Sequence, residues 1–263
     1  MTAGTLSRVR RPARPMNLWR LEWLRLTRTP RAIALAAIFL FIGFIEPIVT
    51  RYLQDIVGRL SHGTPVSVAA PSPADGLNSY VGEITFVGLI VVVAVAAGAL
   101  TFDTHQGIST FLRTRVRSMT RLVLPRFAVT AAAAAIAYLL GTLAAWYETA
   151  VLLGSLPVGG VLAGIACGAM YMVFAVAVTT LAASLARSVI GTVGMAVVIM
   201  IVIPIAGSIH AISNWLPSAL VNAPVNLVGS EHLTHFIPSL GVTAAASTAA
   251  VWFAVHRLGR REN

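Results

Sequence analysis

Six long apolar runs separated by polar, Pro- or Arg-containing breaks set the pattern of this chain. A helix crossing the hydrocarbon core of a bilayer needs about 20 mostly apolar residues. The runs meet that need at roughly Ala32–Val49, Ile84–Phe102, Ala128–Tyr147, Val158–Ala186, Ser188–Ile209 and Ser239–Val255. Within each run the apolar residues are continuous and do not alternate every second position. That argues for helices over a transmembrane barrel. The predicted fold is an all-α polytopic membrane protein with six transmembrane helices in a single domain over residues 17–256.

The breaks carry their own pattern. Residues Asn17 to Thr29 are rich in helix formers, with Trp19 and Trp23 one turn apart among arginines. Arginine and tryptophan together suit a helix lying in the headgroup region, and Pro30 breaks it before the first span. The outer stretch Thr50–Gly82 holds Pro65, Pro71, Pro73, Gly63 and Gly76, which predicts irregular structure. Pro47 predicts a kink or an end to the first span. The segment His210–Pro238 is too broken for a seventh span and too apolar for a solvated loop. It reads as a re-entrant region of short helices before the last span, buried against protein.

Composition agrees with the pattern. Apolar residues make up 57% and charged residues 11%, against about 45–50% and about 25% in soluble domains. Soluble enzymes, disordered chains and disulfide scaffolds are excluded.

Charge adds the orientation. All 19 basic residues are arginine, against 9 acids, for a net charge of +10. Seventeen of the arginines fall in the N-terminal segment, the loop between spans two and three, the short link before span five, and the C-terminal tail. Only Arg51 and Arg59 fall on the other side. The arginine-rich face is the cytoplasm by the positive-inside rule, so both termini are cytoplasmic. The charge is a topology signal, and no nucleic-acid partner is expected. Residues 1–16 read as a disordered basic cytoplasmic tail and 257–263 as a second tail. Residues 1–16 lack the apolar core of a signal peptide; their Arg-rich, acid-free character is also that of a transit peptide.

The chain has no lysine. A Walker A loop needs one to reach nucleotide phosphates, so no standard ATP site can be built here. Cys167 is the only cysteine, which excludes a disulfide framework and a cysteine metal cluster. In an apolar run it serves as a small hydrophobe. Gly160, Gly164 and Gly168 recur every fourth residue in span four and predict a flat face for close helix packing, within one subunit or between two.

The cytoplasmic loop Asp103–Phe127 is large enough to act. Gly107 can end the helix of span two, Ile108, Phe111 and Leu112 form a small apolar face, and Ser118 can cap the helix entering span three. Here the chain resembles the membrane subunits of ABC type-2 transporters. In that family an acidic residue and a glycine four positions on precede a short surface helix, a serine, and a Leu-Val-Leu-like run ending in a basic residue. Asp103, Gly107, Leu112, Ser118, Leu122, Val123, Leu124 and Arg126 occupy those positions without a gap. Ile108 stands where the family often has Thr, Val116 where it often has Pro, and Pro125 follows later. The likeness covers about 25 residues in motif and the whole chain in layout.

The resemblance implies an exporting permease subunit in a bacterial cytoplasmic membrane, and the weakly polar spans suit an amphipathic or hydrophobic substrate. A separate ATP-binding-cassette ATPase would bind the ATP, so this chain would need no cofactor of its own. A second permease copy, identical or similar, would complete the pathway. Asp103, Gly107, Phe111, Leu112, Arg113, Arg115 and Arg117 would form the loop that couples to the ATPase. Read without the resemblance, the same arginines need only mark the cytoplasmic face and meet lipid headgroups. The other class of function is a stand-alone polytopic protein, such as a secondary carrier or an assembly factor.

Other chemistry is thin. Glu231, His232 and His235 place two histidines three apart, as metal ligands can be, but the order is not that of a zincin and no third ligand is evident. His210 and His256 flank spans at depths where a polar-tipped ring is ordinary. Deep in the spans stand Ser, Thr, Tyr and Gly in place of ionisable groups. This argues against proton-coupled transport and protease chemistry.

Overall fold

The computed structural model describes residues 18–60, 70–101, 120–186, 188–207, 213–229 and 231–260. Among them every regular element is helical, and six helices are long and apolar enough to cross a membrane. The protein is an all-α, multi-pass membrane protein.

Helix α1 (Leu18–Arg28) is followed at once by α2 (Pro30–Leu60). Pro30 opens α2, where its missing N–H costs nothing and its fixed φ suits a helix. At 31 residues, α2 is about 46 Å long and outreaches a hydrocarbon core of about 30 Å. It runs through Pro47 without stopping. Pro47 removes only the hydrogen bond to the carbonyl of Gly43, a loss that transmembrane helices tolerate. Of the two expectations at Pro47, a kink or an end, the end is corrected: the helix runs on to Leu60.

The expectation of an irregular stretch from Thr50 to Gly82 is corrected as well. Its start, to Leu60, continues α2, and its end is helix α3 (Pro73–Glu83). Ser72 and Asp75 account for the early start: the Asp75 carboxylate accepts from the Ser72 backbone N–H and hydroxyl, both at 2.7 Å. Pro73 supplies the first helical φ. One wide turn, Ile84–Gly88, with π-type hydrogen bonding, joins α3 to α4 (Leu89–Leu100). The second span is therefore one rod from Pro73 to Leu100.

Helix α5 (Thr120–Leu152) turns into α6 (Val158–Leu185) through Gly154, whose φ of +127° is a left-handed value that favours glycine. The N–H groups of Leu153 and Gly154 both bond the Thr149 carbonyl and close α5. Helix α7 (Val189–Ala206) is capped by the Ser188 hydroxyl, which accepts from Gly191 N–H at 3.1 Å. Short turns at Ser213–Trp215 and Leu233–Phe236 bracket α8 (Ala219–Asn226). The last helix is α9 (Ile237–Arg260).

Helix α6 is the centre, packing against α4, α5, α7, α8 and α9. Its Gly, Ala and Thr content lets neighbours approach closely, as membrane packing requires where lipid removes the hydrophobic drive between helices. The core includes Phe39, Leu77, Tyr80, Ile84, Tyr171 and Phe236. Outward-facing apolar residues are common, with Ile190 86% and Phe86 72% exposed, which suits a hydrocarbon solvent. Several buried hydroxyls bond within their own helix. Thr142, Thr179, Thr180 and Ser247 each donate to the carbonyl four residues back at 2.7–2.8 Å, so none of these four needs water as a partner.

Candidate functional site

Among the described residues, the arginine-rich end of the helices holds the most connected charges. Arg126, in the first turns of α5, donates from Nε to Glu22 Oε1 of α1 at 2.9 Å. About a tenth of each side chain is exposed. Arg25, one turn along α1, approaches the same carboxylate at 3.8 Å. Arg31 at the start of α2 donates from Nη1 to the Gly98 carbonyl at 3.0 Å. That carbonyl lies in the last turn of α4, where helix bonding leaves acceptors open and a cation is favoured. These contacts bind α1 to α5 and α2 to α4. They fix both ends of the chain that flank residues 102–119.

The coupling-loop residues Asp103, Gly107, Phe111, Leu112, Arg113, Arg115 and Arg117 lie in 102–119, outside the described residues. Ser118, expected to cap the helix entering span three, lies there too; α5 is described from Thr120.

The glycine stripe of α6 packs inside the chain. A side chain at Gly160 would meet the backbone of Leu227, and one at Gly164 the backbone of Pro224. One at Gly168 would meet the ring and hydroxyl of Tyr138 on α5. Two glycines thus seat the segment around α8 against the outer half of α6, and the third admits a tyrosine. Sequence reasoning missed a second close crossing, between α2 and α5. A side chain at Gly43 on α2 would strike the Gly141 carbonyl on α5, and one at Gly141 would come within 2.7 Å of the Phe39 carbonyl.

A group of buried tyrosines lies beside that crossing. The Thr142 hydroxyl stands 3.3 Å from Tyr80 Oη, and the Tyr80 and Tyr138 rings lie 6.5 Å apart. Tyr171 Oη is buried without a hydrogen-bond partner. It borders a space of about 10 Å³ lined also by Thr85, Tyr138 and Gly168, roughly enough for one water.

A groove of about 640 Å³ opens between α5, α6 and α9. Leu124 and Phe127, Met170 and Val173, and Val251 and Val255 supply its apolar walls. Ser247 and Thr248 line it too, but their hydroxyls donate to backbone carbonyls of α9, so the walls stay apolar. Met170 lies mid-way along α6, while Thr120 opens α5 and His256 is one turn from the end of α9. The groove therefore runs from mid-depth to the arginine-rich end. There the Trp252 and His256 rings stack at 5.4 Å and 3°.

At the opposite end, His232 precedes a short 3-10 turn and His235 lies within it, where its ring meets Phe236 edge-on at 5.5 Å. Among the described residues, no three His, Cys, Asp or Glu side chains converge as metal ligands would.

No protein-family model matches the chain, and no solved structure matches it. It is similar to a protein described as uncharacterized transmembrane protein YxlG of Bacillus subtilis (strain 168). The two are 20% identical over 253 residues, which is 94% of this chain and 98% of the relative. The likeness therefore runs the length of the membrane domain.

Proposed function

We propose that this chain is the permease subunit of an ATP-binding-cassette transporter, exporting an amphipathic or hydrophobic substrate with energy from a separate ATPase. The observation that carries the reading is how the cytoplasmic loop is held. Arg31 clasps the end of α4 before it, and the Glu22–Arg126 pair clasps the start of α5 after it. A partner pushing on that loop would move α1, α2, α4 and α5 together. Helix-level rigid-body motion of this kind converts a local push into a change of packing.

In this reading Asp103, Gly107, Phe111, Leu112, Arg113, Arg115 and Arg117 dock in a cleft of the ATPase, and α1 lies beside it. The ATPase binds the ATP, since a lysine-free chain has no Walker A loop. A second permease copy faces the first. The membrane is the bacterial cytoplasmic membrane, with the arginine-rich end inside.

The test is a mild-detergent pull-down of tagged protein from its host, with crosslinking and mass spectrometry. The expected result is a co-purifying ATPase crosslinked within 103–126. Recovery without an ATPase, under conditions that keep known complexes intact, would favour a stand-alone carrier or assembly factor. Gly107→Trp should uncouple ATP use from transport while the protein stays in the membrane; unchanged transport would count against the loop's role.

A further inference from the structure

We propose that the groove between α5, α6 and α9 is a binding site for an anionic phospholipid of the cytoplasmic leaflet. One acyl chain lies among Leu124, Phe127, Met170, Val173 and Val251, and the phosphate meets His256 and Arg260. This goes beyond the transporter reading and holds whether or not an ATPase docks.

Four observations carry it. The volume of about 640 Å³ falls in the range of about 300–1,000 Å³ typical of small-molecule sites. The Ser247 and Thr248 hydroxyls along its wall donate to their own helix, so the long part of the groove offers mainly apolar contact. Its polar end sits at the cytoplasmic end of α9, and the stacked Trp252–His256 pair is placed where an amphipathic indole favours the headgroup level. Lastly, Arg260 lies four residues beyond His256, on the same helix face and one turn nearer the cytoplasm. Apolar walls leading to a ring N–H and a guanidinium match a molecule with a hydrocarbon tail and an anionic head. The inner leaflet supplies such molecules in excess.

A second copy of the chain is the competing occupant. It would need to bring an apolar face and an anion to the same end. Among the described residues on that side the acid is Glu22, which is held by its own Arg126, and the helices there otherwise present arginine: Arg31, Arg257 and Arg260. Charge therefore favours the lipid.

Trp252 reports on the site. The experiment uses the full chain in detergent micelles doped with phosphatidylglycerol brominated in its acyl chains, or with phosphatidylcholine brominated likewise. The signal is the part of tryptophan emission that Trp252→Phe removes. Phosphatidylglycerol should quench it at a mole fraction about fivefold lower, the effect of one basic side chain near an anionic group. Arg260→Gln should erase that preference. Ala244→Phe and Thr248→Phe, both at exposed positions on the groove wall, should each remove the preferential quenching by filling the space.

Equal quenching by the two lipids overturns the proposal, because Trp252 then senses only the surrounding lipid. Unchanged preference in both filled variants overturns it too. Protection from both lipids, with Thr248→Cys chains joined as disulfide-linked pairs, overturns it in favour of a second copy.

Discussion

Glu22 and Arg126 stand 104 residues apart in the chain and 2.9 Å apart in space. The pair is nearly sealed from solvent and has a second arginine close by, with Arg25 at 3.8 Å from the carboxylate. Removing one member of a buried pair costs about 3–5 kcal/mol because the other keeps its desolvation penalty. The two members are not equivalent. Glu22→Gln leaves two guanidinium groups crowded around a neutral amide. Arg126→Gln leaves the carboxylate with Arg25 as a partner. Glu22→Gln should therefore destabilise more, by about 3 kcal/mol, and Arg126→Gln by roughly half as much. Thermal unfolding of both variants in one detergent checks the order, and the reverse order would show that Arg25 does not compensate.

The α2–α5 crossing predicts a second stability difference. At Gly43 an added methyl group would run into the Gly141 carbonyl, which is backbone and cannot rotate away. Gly43→Ala should force the two helices apart and cost about 1–3 kcal/mol, the usual penalty of overpacking. Gly241→Ala on α9 is the control, with nothing within 4 Å of the added atom. It should be neutral or stabilising by up to about 1 kcal/mol, through helix propensity alone. Melting curves of the two variants side by side test the contrast; equal melting would mean the crossing is looser than the backbone distances require.

The number of spans and their order were legible because a chain so poor in charge can shelter runs of about 20 apolar residues only in a bilayer. The extra turns at both outer ends of the first loop were not. Pro65, Pro71, Pro73, Gly63 and Gly76 made the stretch read as irregular throughout, yet a helix does not stop where the hydrocarbon does. The start of the second span turned on a capping arrangement, Ser72 with Asp75, whose residues were visible and whose role was missed. The glycines of α6 announced themselves by spacing, whereas Gly43 and Gly141 are single glycines whose meeting depends on tertiary structure. The groove had no signal at all. In uniformly apolar helices, residues lining a cleft and residues facing lipid read alike. The Glu22–Arg126 pair left one trace, since Glu22 is the only acid before Glu46.

Gly168 and Tyr138 should be coupled in energy. A methyl group at Gly168 would meet the Tyr138 hydroxyl and two ring carbons, so Gly168→Ala alone should cost about 1–3 kcal/mol. Tyr138→Phe removes the oxygen but keeps the ring carbons in the path, and should rescue little. Tyr138→Leu withdraws the ring and should rescue most of the loss, with a coupling energy of about 0.5–3 kcal/mol between the two sites. A double-mutant cycle by denaturant or heat measures this. Additive effects would place the clash elsewhere.

The topology makes a separate prediction that needs no purified protein. Cys167 is the only cysteine and is buried, so a Cys167→Ala background leaves a clean field for labelling. Asn214 and Glu231 are exposed near the outer ends of α8 and α9, and Arg260 is exposed at the end of α9. Six spans put Arg260 on the face opposite to them, and the arginine count makes that face cytoplasmic. Asn214→Cys and Glu231→Cys should react with a membrane-impermeant maleimide on intact cells. Arg260→Cys should react only after the membrane is permeabilised. Orientation rests on arginine alone, because the chain has no lysine to share the signal. Labelling of Arg260→Cys from outside would invert the protein, and it would move the Glu22–Arg126 clasp and the mouth of the α5–α6–α9 groove to the face where no ATPase could reach them.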